Sequence, residues 1–325
     1  MVLNNKKVFI TGGGGFIGTH IAKNLSDKGF KVRLFDLDFG NYNILSEKLG
    51  NLSEVEKIKG DIFDLNSLTK AMAGSDYVIH AAAMLGVRNT ELKKLGCLNI
   101  NILGTINVLE ACVKERVKRI IFTSSSEVYG EPLRYPIEEN DFKRPVSLYG
   151  VSKLAGEEYM KAYNQKYGLE FSIIRFFNVY GPGQVAEFVM PRFIKNVLED
   201  KPPVVYGDGS QIRAFCFVED ASEGVSKVLT EENGVNQIFN IGNDEEAISI
   251  KDLAQKVIKI SGKDLKPEFK DMEDSDREAS REIYRRSPVI YQARQMLNYQ
   301  PKFSLEEGIR KTIESNCIFD TWSIH

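Results

Sequence analysis

The run Thr11-Gly12-Gly13-Gly14-Gly15-Phe16-Ile17-Gly18 constrains this chain more than any other stretch, because a short β-branched segment precedes it and an amphipathic one follows. In that context Gly12, Gly15 and Gly18 form a G-x-x-G-x-x-G turn, with Phe16 and Ile17 opening the helix behind it. Glycines let the backbone turn tightly and approach a pyrophosphate, while the helix N-terminus offers unpaired N–H groups and the positive end of its dipole. Such a turn belongs to the first strand–helix junction of a dinucleotide-binding α/β fold; a purely structural glycine turn is the alternative reading.

The rest of the first half repeats that alternation. Lys7 to Ile10, Lys31 to Phe35, Val55 to Lys59, Tyr77 to His80 and Arg119 to Thr123 read as strands, and Phe16 to Lys28, Leu65 to Met72 and Leu98 to Glu115 as helices. Tyr149 to Tyr167 is a further helix, followed by a strand over Phe171 to Phe176. The expected fold is therefore α/β, a Rossmann-type doubly wound parallel sheet with a smaller C-terminal substrate-binding lobe. Pro191, Pro202-Pro203 and Gly207-Asp208-Gly209 break the periodicity after Gly183. This places the dinucleotide-binding domain at 1–180 plus about 212–242, and the lobe at about 181–211 and 243–325. Lys270 to Ser287 is crowded with charge and reads either as a solvated loop or as a clamp for an anionic substrate.

Charge and composition exclude several partners. The 43 basic and 45 acidic residues are mixed along 325 positions, so neither nucleic acid nor an anionic membrane is expected to bind. The first ten residues run straight into the glycine loop without room for a signal peptide, and no apolar run reaches the roughly 18 residues of a membrane span. A cytoplasmic protein is expected. Cys97, Cys112, Cys216 and Cys317 are scattered without a CxxC pair and only three histidines are present, which gives no disulfide framework and no metal-site signature.

Asp36 ends the second strand, 18 residues after Gly18, where a carboxylate accepts from the adenosine ribose hydroxyls and repels a 2′-phosphate. The cofactor expected is NAD. Arg33, upstream in the same strand, carries little weight as a phosphate binder; Asp61 and Ile62 are expected to flank the adenine. Ala81, Ala82 and Ala83 leave space for the cofactor after the fourth strand, and His80 reads as a packed strand-end residue. Tyr149 and Lys153 form a Y-x-x-x-K pair on one helix face. The ammonium and a nicotinamide charge would lower the phenol's pKa, so that Tyr149 takes a proton from a sugar hydroxyl while Lys153 holds the nicotinamide ribose.

With Thr123-Ser124-Ser125-Ser126-Glu127-Val128-Tyr129-Gly130, His80 to Ala83, Asn101-Ile102-Leu103-Gly104-Thr105, Tyr149 to Lys153, and Arg175-Phe176-Phe177-Asn178-Val179-Tyr180-Gly181-Pro182, the chain resembles the extended short-chain dehydrogenase/reductase family. Within that family it is similar to the nucleotide-sugar epimerases and dehydratases. The resemblance implies a nucleotide-diphosphate-sugar substrate. It makes Ser125 the hydroxyl that holds the sugar O4, Tyr149 the base and Asn101 a residue that stabilises the active-site helix. Asn178, Arg213 and Arg277 match diphosphate-holding positions, and Arg88 joins them as a substrate-binding candidate.

Glu127 separates the reactions. Plain 4-epimerases of the family carry small or neutral residues there, whereas in 4,6-dehydratases a Glu removes the C5 proton, acidified by the C4 ketone. Ser126 stands where thymidine-diphosphoglucose dehydratases have an Asp. This resembles the GDP-mannose dehydratases, whose single Glu serves both steps, and the UDP-glucuronate decarboxylases, which share Ser-Glu-Val-Tyr-Gly. The expectation is an NAD-dependent nucleotide-sugar 4,6-dehydratase, with a 4-epimerase next, then a UDP-glucuronate decarboxylase, and remotely a non-catalytic NAD-binding regulator. Decarboxylation needs a cation for the substrate carboxylate, for which Arg88 and Arg192 are candidates; a loop carboxylate that caps a helix or pairs with a neighbouring base is the structural reading of Glu127. The helices Leu98 to Glu115 and Tyr149 to Tyr167 resemble the pair through which family members dimerise, so a homodimer is expected.

Overall fold

The computed structural model describes residues 5–50, 52, 54–86, 90, 92–274 and 282–320. Its first half alternates β1 (Lys7–Thr11), α1 (Phe16–Asp27), β2 (Lys31–Asp36), α2 (Gly40–Leu49), β3 (Glu56–Lys59), α3 (Leu65–Met72), β4 (Tyr77–His80), α4 (Lys94–Lys114) and β5 (Arg119–Ser125). A 3₁₀ turn, Ser126–Val128, leads towards α5 (Leu148–Tyr167) and β6 (Glu170–Phe176). There follow β7 (Val179–Tyr180), α6 (Val189–Leu198), β8 (Val204–Tyr206), β9 (Ile212–Ala214), β10 (Cys216–Phe217), α7 (Val218–Thr230) and β11 (Gln237–Ile241). The chain continues through β12 (Ala247–Ser249), α8 (Ile250–Ser261), β13 (Glu268–Lys270), β14 (Arg285–Arg286), α9 (Tyr291–Leu297) and α10 (Leu305–Ser315).

Seven strands form one sheet in the order β11-β6-β5-β4-β1-β2-β3, every neighbouring pair parallel. Side chains alternate across it as the strand period requires: Val8 and Ile10 of β1 enter the core beneath α1 and α7, and Phe9 the core beneath α3, α4 and α5. Strand order reverses between β1 and β4, so the loops leaving their carboxyl ends part and open a crevice. A separate core joins Phe193 and Val197 of α6, Leu253 and Val257 of α8, and Leu305 and Ile309 of α10, beside the crevice.

One helix departs from its sequence reading. The segment expected over Leu98 to Glu115 is one rod of 21 residues from Lys94 to Lys114, with a π-helical turn at Asn99–Leu103. By length and composition alone that rod could cross a membrane; here it packs its buried side chains, such as Val108, Leu109 and Cys112, against the sheet. The π turn is where the buried Asn101 side chain enters the structure below. Helix α5 is framed by its sequence: Ser147 caps Gly150 N–H at one end and Gly168, in the left-handed region, closes the other.

Candidate functional site

A cavity of about 700 Å³ lies over the carboxyl ends of the central strands. Its floor is the glycine loop. Gly12 has φ +69°, and a Cβ there would stand 2.5 Å from the Ala82 nitrogen; at Gly18 a Cβ would stand 2.2 Å from the Gly12 carbonyl oxygen. Both positions therefore exclude any side chain, and the loop presses against β4's exit while α1 starts after its N-cap Gly15, with its first residues on the cavity wall. Asp36 closes this end, its Oδ2 accepting from Gly14 N at 2.8 Å. Desolvation raises the Asp36 pKa, and bonds from backbone N–H groups work against that rise. Arg33 points elsewhere, to Glu56 and to the carbonyls of Ala71 and Ala73, and is not a cation for a 2′-phosphate. Asp61, Ile62 and Ala81 to Ala83 line the same end. An adenosine diphosphate moiety fits these walls.

The chemistry-bearing residues gather at the other end. Ser125 leaves β5 with Oγ accepting Glu127 N–H at 3.2 Å and hydrogen-bonding the Tyr149 phenol. Lys153, one helical turn beyond Tyr149, places Nζ 5.6 Å from that ring's centroid and donates to the Thr123 carbonyl at 2.7 Å. Burial lowers the Lys153 ammonium to about 7, opposed by Cys97 and Glu157. Tyr149 differs from the sequence expectation: desolvation, then the Glu127 carboxylate and Cys97, push its pKa up rather than down. Lys153 here is spread between a carbonyl and two ring faces and makes no bond to the phenol oxygen among the described contacts. His80 is the packed residue its position suggested, buried between Thr11 and Thr105 with its pKa pulled by burial to about 3.

Glu127 stands on the cavity wall with its neighbour Ser126. One carboxylate oxygen accepts from Ser147 Oγ at 2.5 Å; the other lies 3.8 Å from Arg286 Nη1. Sequence reading missed both partners. A serine two residues before Tyr149 is an N-cap signal, whereas Arg286 sits in a charged segment where nothing distinguishes it from its neighbours. That segment, 270–287, reaches the cavity through Ile283 and Arg286.

Three expected site residues end elsewhere. Asn101 is buried away from the cavity wall: its amide bonds both the nitrogen and the oxygen of Met84 and the Ser152 hydroxyl, tying the loop after β4 to α5. It does not line the cavity; its bond to Ser152 is a tie to α5 of the kind the family resemblance implied. Arg213, on β9, is paired with Glu282 at 2.8 Å and donates to the Ile212 and Tyr284 carbonyls. Its parallel partner in β14 is Arg286, so register puts two cations side by side and only one of them on the cavity wall. Arg192 donates to the carbonyls of Ala186 and Glu187 within its own turn. Asn178, at φ +39°, lines the cavity and donates to the Ala214 carbonyl. Arg88 and Arg277 lie outside the described residues.

Comparison with known proteins agrees with this geometry. Residues 8–242 match the model of the NAD dependent epimerase/dehydratase family. The chain is 35% identical over 321 residues to the UDP-N-acetyl-alpha-D-glucosaminuronate decarboxylase of Bacillus cytotoxicus, covering 95% of this chain and 97% of that one. Among solved structures, the UDP-N-acetylglucosamine 4-epimerase of Methanobrevibacter ruminantium in complex with UDP-N-acetylmuramic acid superposes with a TM-score of 0.87 at 30% identity, over 96% and 98% of the two chains. The UDP-glucuronic acid 4-epimerase of Bacillus cereus, in complex with UDP-glucuronic acid and NAD, does so with a TM-score of 0.85 at 33% identity, over 95% and 98%.

Proposed function

The chain belongs to the NAD-dependent epimerase/dehydratase family, and on that premise we propose that it oxidises a nucleotide-linked hexuronic acid at C4 and removes its C6 carboxylate as carbon dioxide. Bound NAD supplies reversible hydride exchange at C4. Ser125 holds the O4 hydroxyl and Tyr149 takes its proton, so that C4 becomes a ketone. The C5–C6 bond is then β to that ketone; its electron pair passes into the C4–C5 enolate as carbon dioxide leaves. Glu127 passes a solvent proton to C5, Tyr149 returns the O4 proton, and C4 is restored to the alcohol.

The observation that carries this reading is Arg286, 3.8 Å from Glu127 on the sugar-end wall. A substrate carboxylate needs a cation and the C5 step needs a proton carrier; 4-epimerisation has no use for Glu127, and 4,6-elimination has no carboxylate for Arg286. Similarity to a uronate decarboxylase supports the same choice. A second reading, the 4,6-dehydratase favoured by sequence, draws support from Glu127 itself: its carboxylate stands on the cavity wall, held by a bond from Ser147 with Arg286 nearby, where a base for the C5 proton is required. Mass spectrometry after incubation with nucleotide-linked hexuronic acids and hexoses separates the readings. Loss of the mass of carbon dioxide from a hexuronate supports decarboxylation. Loss of one water from a hexose replaces it with the dehydratase, and an unchanged mass with altered chromatography overturns both in favour of a 4-epimerase.

A homodimer through α4 and α5 completes the proposal. Leu95, Leu103 and Val151 on these helices expose 76%, 48% and 42% of their surface, an apolar face that a second copy would cover.

A further inference from the structure

We infer that Ser147 is a positioning residue that couples the first turn of α5 to Glu127, setting the direction of that carboxylate; the inference rests on the reading of Glu127 as the group that acts at C5. Ser147 lies outside the Tyr149 and Lys153 pair but touches both halves of the site. Its Oγ accepts Gly150 N–H at 2.9 Å, as an N-cap, and donates to Glu127 Oε2 at 2.5 Å. A hydroxyl has one proton. With the cap using an acceptor lone pair, that proton is left for the carboxylate, and the serine rotor is fixed by two demands at once.

The backbone enforces the same juxtaposition. Glu127 sits in the 3₁₀ turn after β5, where Ser125 Oγ accepts its N–H. Opposite it, Gly150 approaches so closely that a Cβ would stand 2.7 Å from the Glu127 carbonyl oxygen. Turn and helix are therefore in contact, and the helix N-terminus adds its positive dipole end to the field at Glu127. The ionisable groups facing Glu127 among the described residues are Arg286 from β14 and Tyr149 from α5. Arg286 supplies charge at 3.8 Å, beyond hydrogen-bond range, so the directed contact that fixes the carboxylate is the one from Ser147. Because Ser147 precedes Tyr149 by two residues, the base at O4 and the group at C5 share one anchor.

Three variants separate the cap from the link. Asp caps a helix as well as Ser but cannot donate to Glu127 and sets a second carboxylate against it; Thr keeps both functions and Ala neither. Ser147→Asp is expected to melt within about 3 °C of wild type and to keep the transient reduced-nicotinamide absorbance of C4 oxidation. Its turnover should fall by about tenfold or more, and the limb of its kcat/KM profile that reports Glu127 should rise by about one pH unit. Ser147→Thr should stay within about twofold of wild type. Wild-type turnover and pH limb in Ser147→Asp, or a Thr variant as impaired as Ser147→Ala, would overturn the inference. A ¹³C NMR titration of glutamate-labelled protein, with the Glu127→Gln spectrum assigning the signal, reads the link without substrate. An upward shift in Ser147→Asp supports it whichever reaction the product assay reveals, and an unmoved signal refutes it even in an active decarboxylase.

Discussion

Replacing Arg175 with Met tests the polar structure behind Ser125, Tyr149 and Lys153. Arg175 of β6 and Glu157 of α5 are both fully buried and joined by two bonds, Nε to Oε1 at 2.8 Å and Nη2 to Oε2 at 2.6 Å. The remaining nitrogen donates to Tyr129 OH and to the Glu139 carbonyl, and Ser124 Oγ donates to Glu157 at 2.6 Å. Arg175→Met removes the cation and leaves a buried carboxylate with a single serine partner, a loss of about 3–5 kcal/mol. For a chain of 325 residues that is a fall in Tm of about 4–7 °C. The uncompensated carboxylate must take up a proton on folding that the unfolded chain lacks, so the deficit should widen between about pH 5 and pH 8. Urea denaturation monitored by circular dichroism at both pH values measures it. The double variant Arg175→Met/Glu157→Leu, which removes both charges, should recover at least half of the loss, because an apolar pair of similar volume replaces a buried ion pair at little net cost. A deficit below about 1 kcal/mol for the single variant, or no recovery in the double, would refute the claim that this pair is mutually compensating.

Three further outcomes follow from the geometry. Gly18→Ala drives a Cβ to 2.2 Å from the Gly12 carbonyl, and isothermal titration should show NAD affinity reduced by about tenfold or more, equivalent to about 1.4 kcal/mol; unchanged affinity would remove the glycine loop from the binding site. Lys153, lowered by burial to about 7 against about 10.4 in the unfolded chain, is neutral when folded but charged when unfolded between those values. Stability therefore rises with pH across that window, and relative to Lys153→Met the wild type should gain about 1–2 kcal/mol between about pH 7 and pH 9 in urea titrations without added cofactor; parallel curves would contradict it. On the proposed homodimer, Leu103→Glu and Val151→Glu should shift the mass seen by light scattering from dimer to monomer; an unaltered dimer would move the interface elsewhere, and a monomeric wild type would refute the dimer.

Local chemistry made much of the cofactor end readable. A glycine at Gly12 or Gly18 is required by backbone approach, Asp36 ends a strand of unmistakable period, and Tyr149 and Lys153 need only helical spacing to share a face. Such features lie within one element or one turn, so their sequence spacing is already their geometry. The polar end is different. Glu127 reads alone as a base, a cap partner or half of an ion pair, and the fold makes it face the cavity while bonded to Ser147 and near Arg286, residues 20 and 159 positions away. Arg213 and Arg286 carry the same charge and meet in one parallel register, yet only the packing of β9 and β14 decides which pairs with Glu282 and which lines the site. Sequence by itself thus determined the α/β alternation, the glycine turn and the shared face of Tyr149 and Lys153, because each is set by local periodicity. Tertiary structure alone decided which charges confront the sugar, because contacts between distant strands depend on packing and register, which no local spacing encodes.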